Sequence, residues 1–225
     1  IVVMDVGSTP DKKYSENYQS GQLSFEIIYK GKKVICNSGY FQDFKHQLNK
    51  ISKSSAAHST LILNNTSACS FKKNKNGANV LDKGFKSFNK ELLNKKSFWN
   101  IKSSHDGYLK DYGVIHERII EFYPEIYKII GKDKLIKKKN FKSTSFEIRF
   151  HLMPNTKVTK TQDNKSILIE LENSGWRFYT KHGSIDVETG LYFGKKNIFN
   201  ENQNIFITGV TQNEDQIIDW EISKI

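Results

Sequence analysis

The side chains here that could move protons or hold a carboxylate are few: six histidines, three arginines and a scatter of amides. His58 stands in Ala56-Ala57-His58-Ser59-Thr60-Leu61, where small residues lead into a strand. A histidine at such an entrance either faces a cleft or is held in the core. His105-Asp106-Gly107-Tyr108 reads as a turn, in which Asp106 either orients His105 or only closes the turn with Gly107. His116 and Arg118 lie two apart on one strand face, so they point the same way. Together they suit a carboxylate; the alternative is a solvated face. Arg149 and His151 repeat that spacing, and His46 and His182 read as loop residues. No set of histidines and carboxylates has metal-ligand spacing by itself. P-loop, G-x-G-x-x-G, H-E-x-x-H and G-x-S-x-G strings are absent, as are the standard DNA- and RNA-binding signatures.

The elements that must position these groups read as strands. Residues 23, 25, 27 and 29 share one face, Lys30-Gly31-Lys32 makes a tight turn, and Val34 to Asn37 returns as a hairpin partner. Thr60 to Leu63 is a short strand. Val114 to Phe122 alternates, with His116 and Arg118 on one face and Glu117 and Glu121 on the other. Ile126 to Lys137 reads as two strands about a turn at Gly131-Lys132-Asp133. Phe146 to Leu152 is the cleanest alternation, and strands follow at 167–171, 176–179, 191–193, 205–210 and 217–222. Phe85 to Phe98 is the one helix candidate and reads equally well as a long loop. Residues 65–105 are polar and rich in Lys and Asn, and read as one long excursion. Many short strands at regular spacing mean an antiparallel all-β fold, sandwich or barrel.

Composition narrows the partners. Aromatic residues at 12% are too many for a disordered chain. No 18-residue apolar run exists, so no membrane helix is expected. Neither a secretory signal nor an initiator Met is visible, which suggests a piece of a longer chain. The net charge of +11 favours polyanions, but only Arg118, Arg149 and Arg177 are arginine, and arginine is the residue that forks phosphate and carboxylate. Diffuse lysine attraction is one reading; a sequence drifting towards lysine-rich composition is the other. Cys36 and Cys69 are too few for a disulfide framework, and a single bridge between them stays open.

Six strings, taken in order, carry a resemblance: Gly21-Gln22-Leu23-Ser24-Phe25-Glu26, Val34-Ile35-Cys36-Asn37-Ser38-Gly39, Ala56 to Leu61, His105 to Tyr108, Gly113-Val114-Ile115-His116-Glu117-Arg118, and Phe150-His151-Leu152-Met153-Pro154. In order and spacing they resemble the C-terminal domain of the heparinase II/III-like polysaccharide lyases over nearly the whole chain. The resemblance implies an antiparallel β-sandwich of two large sheets, one domain over 1–225, with the polar stretch as an insertion and an N-terminal α/α toroid elsewhere in the same polypeptide. It implies cleavage of uronic-acid glycans by β-elimination. In that family a Tyr and a His of the toroid do proton work, and the β-domain adds a further histidine and often three zinc ligands. Carried over, the third ligand position is His58, the first falls on Gln19, the second on Asn37 and the β-domain histidine on Asn17. Amides are poor zinc ligands, so no zinc and no other cofactor is expected. Gln19, Asn37 and His58 are expected either as a hydrogen-bonded cluster or, with His105, His116 and Arg118, as contacts to substrate. His58 and Asn17 are the catalytic candidates, and the domain alone, lacking the base, is expected to be inactive. The expected partner is an acidic polysaccharide, a glycosaminoglycan or alginate, rather than nucleic acid or membrane; the expected location is periplasmic or secreted. A non-catalytic acidic-glycan-binding module is the alternative.

Overall fold

The computed structural model describes residues 1–225. In chain order the strands are β1 (Val2–Met4), β2 (Phe25–Tyr29), β3 (Lys32–Ile35), β4 (Leu61–Leu63), β5 (Ser70–Lys73), β6 (Asn79–Lys83), β7 (Ser87–Asn94), β8 (Trp99–His105) and β9 (Val114–Tyr123). They continue with β10 (Lys128–Lys137), β11 (Ser145–His151), β12 (Lys157–Lys160), β13 (Ser166–Leu171), β14 (Ser174–Thr180), β15 (Ser184–Lys195), β16 (Ile198–Val210) and β17 (Gln216–Lys224). The only α-helices are short, α1 (Gln47–Ser52) and α2 (Leu109–Tyr112).

All strand pairs are antiparallel, and the architecture is a β-sandwich. An eight-stranded sheet runs β12-β13-β14-β17-β10-β9-β8-β7, and a four-stranded sheet runs β15-β16-β11-β4. A three-stranded sheet, β1-β2-β3, and the β5-β6 hairpin complete it. The alternation in the sequence has a direct cause: strand side chains point alternately to opposite faces, and only one face meets the core. In β11 that face carries Phe146, Ile148 and Phe150; in β17 it carries Ile218, Trp220 and Ile222. Phe150 reaches across to Phe178 of β14 at 4.5 Å and to Trp220 at 5.0 Å, and Phe25 of β2 stacks on Trp220 at 5.1 Å between centroids. Four aromatic rings thus join three of the sheets, each burying a large apolar area in edge or offset contact. They sit within a continuous core of 29 buried residues; a satellite of Phe41, Leu48 and Phe193 lies apart.

Two sequence expectations change. Ile126 to Lys137 is not a hairpin about Gly131. The turn is at residues 124–127, where Tyr127 N–H bonds Pro124 C=O, and β10 then runs unbroken through Gly131. Gly131 is there for space: a Cβ would stand 2.0 Å from Trp220 Cζ2, on the strand directly opposite. The polar 65–105 stretch is also not an unstructured excursion. It folds as two hairpins, and β7 and β8 extend the large sheet. Phe85 to Phe98 is therefore neither helix nor loop. Its signal was weak because β7 is an edge strand, exposed along most of its length and bulged between Phe88 and Glu91. Both cysteines are free thiols and buried, so no disulfide joins Cys36 to Cys69.

The tight fit of Trp220 over Gly131 predicts that Gly131→Ala destabilises the fold by about 2–3 kcal/mol through overpacking. A lowered urea midpoint with an unchanged slope would show it; an unchanged midpoint would mean that the indole moves aside freely.

Candidate functional site

The register of β9 on β10 sets Arg118 directly opposite Asp133. Both are fully buried. Arg118 Nε donates to Asp133 Oδ1 at 2.8 Å and Nη2 to Oδ2 at 3.0 Å, a bidentate fork. Trp220 Nε1 adds a third bond at 2.8 Å, and His116 Nε2 a fourth at 2.6 Å. Burial alone would raise the Asp133 carboxyl; Arg118 and His116 outweigh it and hold the group well below the usual carboxylate range.

A carboxylate can only accept from His116 Nε2, so His116 Nδ1 carries the lone pair. It accepts from His105 Nε2 at 3.1 Å, and His105 Nδ1 accepts from Gly107 N–H at 3.1 Å. Every ring nitrogen is paired with both histidines neutral, and burial lowers the proton affinity of each. This corrects the sequence expectation for His105, His116 and Arg118. His116 and Arg118 do hold a carboxylate, but it belongs to the chain itself; His105 bonds His116 and Gly107 instead, and none of the three is exposed to a substrate. Asp106 does not orient His105; its carboxylate accepts from Lys86 N–H. Arg149 likewise pairs with Glu147 and Glu188 rather than with His151.

Arg118 has one nitrogen left, and it reaches the loops above. Nη1 donates to Leu23 C=O at 2.9 Å and to Ser59 C=O at 2.7 Å. Leu23 closes a turn in which Ser24 N–H bonds Gly21 C=O, and it holds a left-handed φ of 51° that a leucine rarely adopts. Ser59 follows His58. One guanidinium therefore ties together the two segments that meet at His58. They meet closely: a Cβ on Gly21 would stand 2.8 Å from His58 Cδ2.

His58 sits between the 3-10 turn Ser55–Ala57 and β4 and is 5% exposed. Its Nδ1 lies 2.9 Å from Ser54 C=O, which requires the proton on Nδ1. The Nε2 lone pair meets no protein donor. Burial pushes the imidazole down to about 4, so it is neutral at neutral pH. Below it, His151 accepts from Ser38 Oγ through Nδ1 and donates to Ala56 C=O through Nε2; burial pushes it to about 3. Asn37 is half-buried. Its Oδ1 accepts from Ser59 N–H at 2.8 Å, and its own N–H donates to Glu26 at 3.1 Å. Glu26 pairs with Lys33 at 2.7 Å. Gln19 is half-buried and Asn17 exposed, on the segment leading into Gly21.

No side-chain hydrogen bond joins Gln19, Asn37 and His58 to one another. They are linked through the main chain instead: Gln19 C=O accepts from Gly21 N–H, and Asn37 holds Ser59. The donor set does not fit zinc. His58 Nε2 is a good ligand atom, but the Asn37 oxygen is committed to Ser59 and no carboxylate or second imidazole completes the set.

Asp133 and the Glu26–Lys33 pair are absent from the sequence expectations. Asp133 shares strand parity with the buried Ile129, Gly131 and Leu135, a charged residue among apolar positions, and this signal is visible only when β10 is read as one strand. The Glu26–Lys33 pair is set across the β2–β3 hairpin, and nothing short of that pairing marks it.

The chain matches the family described as heparinase II/III-like, C-terminal, over residues 1–221. No curated protein matches it. Among solved structures it is similar to a mutant of the heparan sulfate lyase HepC from Pedobacter heparinus, at TM-score 0.77 and 12% identity, covering 99% of this chain and 32% of that one. It is also similar to a heparinase III with methylated lysines, at TM-score 0.76 and 14% identity over 100% and 32% of the two chains. A further heparinase III structure gives 0.75 and 14%, over 100% and 33%. At such identities the likeness is one of fold, and the chain spans about a third of the length of those structures.

The four buried histidines make the fold acid-sensitive. Each folded-state pKa lies below the unfolded value near 6.5, so the unfolded chain takes up more protons as pH falls. Stability is full above about pH 6.5 and is lost on the way down, and His58 and His151, held near 4 and 3, each account for up to about 2 kcal/mol of that loss by pH 5. Tm should drop steeply between pH 7.5 and 5; a flat Tm over that range would mean that these rings accept protons inside the fold. Arg118→Met strands Asp133 as a buried unpaired charge and should cost about 3–5 kcal/mol in chemical denaturation.

Proposed function

Since the chain belongs to the heparinase II/III-like family through its C-terminal domain, we propose that it is the β-domain of a polysaccharide lyase and forms one wall of the cleft in which an acidic glycan is cleaved. The observation that carries this reading is His58: a neutral imidazole whose tautomer is fixed by Ser54 and whose Nε2 lone pair is left without a protein partner at the meeting of three segments.

β-Elimination from a uronate needs its carboxylate neutralised, the C5 proton removed, and the leaving glycosidic oxygen protonated. An imidazole that is hard to protonate is a weak base, so His58 does not serve as the proton-abstracting group. It suits a different task, accepting a hydrogen bond from a sugar hydroxyl and so orienting the ring. Gln19, half-buried beside the Gly21 turn, and Asn17, exposed two residues earlier, offer amide N–H donors to the uronate carboxylate. The base comes from an α/α toroid of the same polypeptide, and this domain alone has no turnover. The cleft works without zinc, in keeping with the amides at 19 and 37. The net charge of +11 draws the polyanion in from a distance, an attraction that salt screens. A periplasmic or secreted location suits such a substrate. The second reading, an acidic-glycan-binding module without catalysis, is favoured by one observation: Asn17, Gln19 and Asn37 stand where proton-transfer and metal chemistry would call for imidazole or carboxylate.

The intact protein mixed with heparin, heparan sulfate, alginate and hyaluronan should raise ultraviolet absorbance, from unsaturated uronate ends, with one of them. His58→Ala should then lower kcat/KM about tenfold, the loss of one hydrogen bond to substrate. No rise with any glycan, together with salt-sensitive binding to one of them, would select the binding module.

A further inference from the structure

Lys53, the residue that ends α1, is fully buried, and no carboxylate lies within ion-pairing distance of it. Its ammonium is instead seated among main-chain carbonyls: Glu16 C=O at 2.5 Å, Asn79 C=O at 2.8 Å and, more loosely, Ser15 C=O at 3.4 Å. It also stands 4.7 Å from the Phe71 ring centroid and 5.9 Å from that of Tyr40. The main-chain carbonyl of the same residue accepts from Ser20 N–H at 2.9 Å. Lys53 therefore grips the segment Ser15–Ser20 at both ends, through its side chain at one and its backbone at the other.

The other anchors of that segment are Tyr18, which packs on Phe71 and the core, and a few hydrogen bonds. Its own main-chain bond is Tyr18 N–H to Ser15 C=O. Outside contacts are the Ser15 hydroxyl, which accepts from Leu81 N–H and donates to Lys12 C=O, the Glu16 C=O, which also accepts from Tyr40 Oη at 3.4 Å, and the Ser20 hydroxyl, which lies 2.8 Å from Ser55 Oγ and 3.2 Å from Gln22 Oε1. Between the two grips lie Asn17 and Gln19. Lys53 also begins the stretch that continues through Ser54, whose carbonyl fixes the His58 tautomer, to His58 itself.

A buried ammonium with no counter-charge is a poor way to stabilise a fold. Burial pushes it down to about 8, and an apolar side chain of similar length would fill the space at less cost. What an apolar side chain lacks is N–H donors for the carbonyls of Ser15, Glu16 and Asn79. We propose that Lys53 is a positioning residue of the candidate site, its ammonium setting the segment that carries Asn17 and Gln19 at a fixed place relative to His58. The consequence for glycan binding rests on the function proposed above; the clamp itself does not.

Lys53→Met keeps the length and removes the donors. In the intact protein it should still melt cooperatively. Amide exchange at Ser20 and Tyr18 should speed up at least about tenfold, while Cys36 and Arg149, whose N–H groups bond His151 and Thr60 carbonyls, keep their protection. Affinity for a heparin oligosaccharide should fall at least about fivefold. Unchanged protection at Ser20 and Tyr18 overturns the proposal. If Lys53→Met does not fold, Lys53→Arg decides: it keeps a cation with N–H donors, so retained Ser20 protection supports the clamp, and protection lost there alone overturns it. Wild-type protein that binds no acidic glycan sinks the glycan reading, and the exchange data still decide the clamp.

Discussion

The structure turns on one buried ion pair. Arg118 and Asp133 stand opposite each other on adjacent inner strands of the large sheet, with no access to water. Two charges in such a place are tolerable only when they are paired and richly hydrogen-bonded. Here Asp133 accepts four hydrogen bonds, and four of the five Arg118 N–H groups are bonded, the last two to Leu23 and Ser59. Those last two bonds reach from the sheet to the site. They hold a leucine in left-handed backbone and set the Gly21 turn against the His58 ring. The surroundings of His58 thus rest on a charged pivot rather than on the aromatic core alone.

The histidines divide by how their nitrogens are used. His105, His116 and His151 have both ring nitrogens bonded, and each is locked in a neutral form by its partners. His58 has one bonded and one open. Buried rings of the first kind specify packing; a ring of the second kind has something left to offer a ligand. Residue type alone does not separate the two, because the distinction lies in which carbonyls, hydroxyls and carboxylates the fold brings near.

This also explains what was legible in the sequence. Strands with one face on the core, such as β11 and β17, announce themselves by alternation. Edge strands such as β7 do not, since neither face is consistently buried. Gly131 looked like a turn because glycine often marks one; its real cause, the indole of Trp220, comes from a strand far along the chain. The order of short strings pointed to the family and to His58. The shared face of His116 and Arg118 was read correctly from their spacing, yet the carboxylate they meet depended on the register of β10. The carbonyls that Lys53 grips belong to the main chain, so the types of the gripped residues do not mark them.

The register of β9 on β10 bears also on how the chain avoids wrong partners while it folds. Ten paired residues joined by a short turn are the kind of ladder that can slide. A slip of one residue would turn Glu117 and Glu121 towards the interior, where Asp133 waits without its guanidinium. Like charges would meet in the dry centre of the sheet, and the indole of Trp220 would lose its acceptor partner's counter-ion. The pair that anchors the site thereby also favours one register of the sheet over its neighbours.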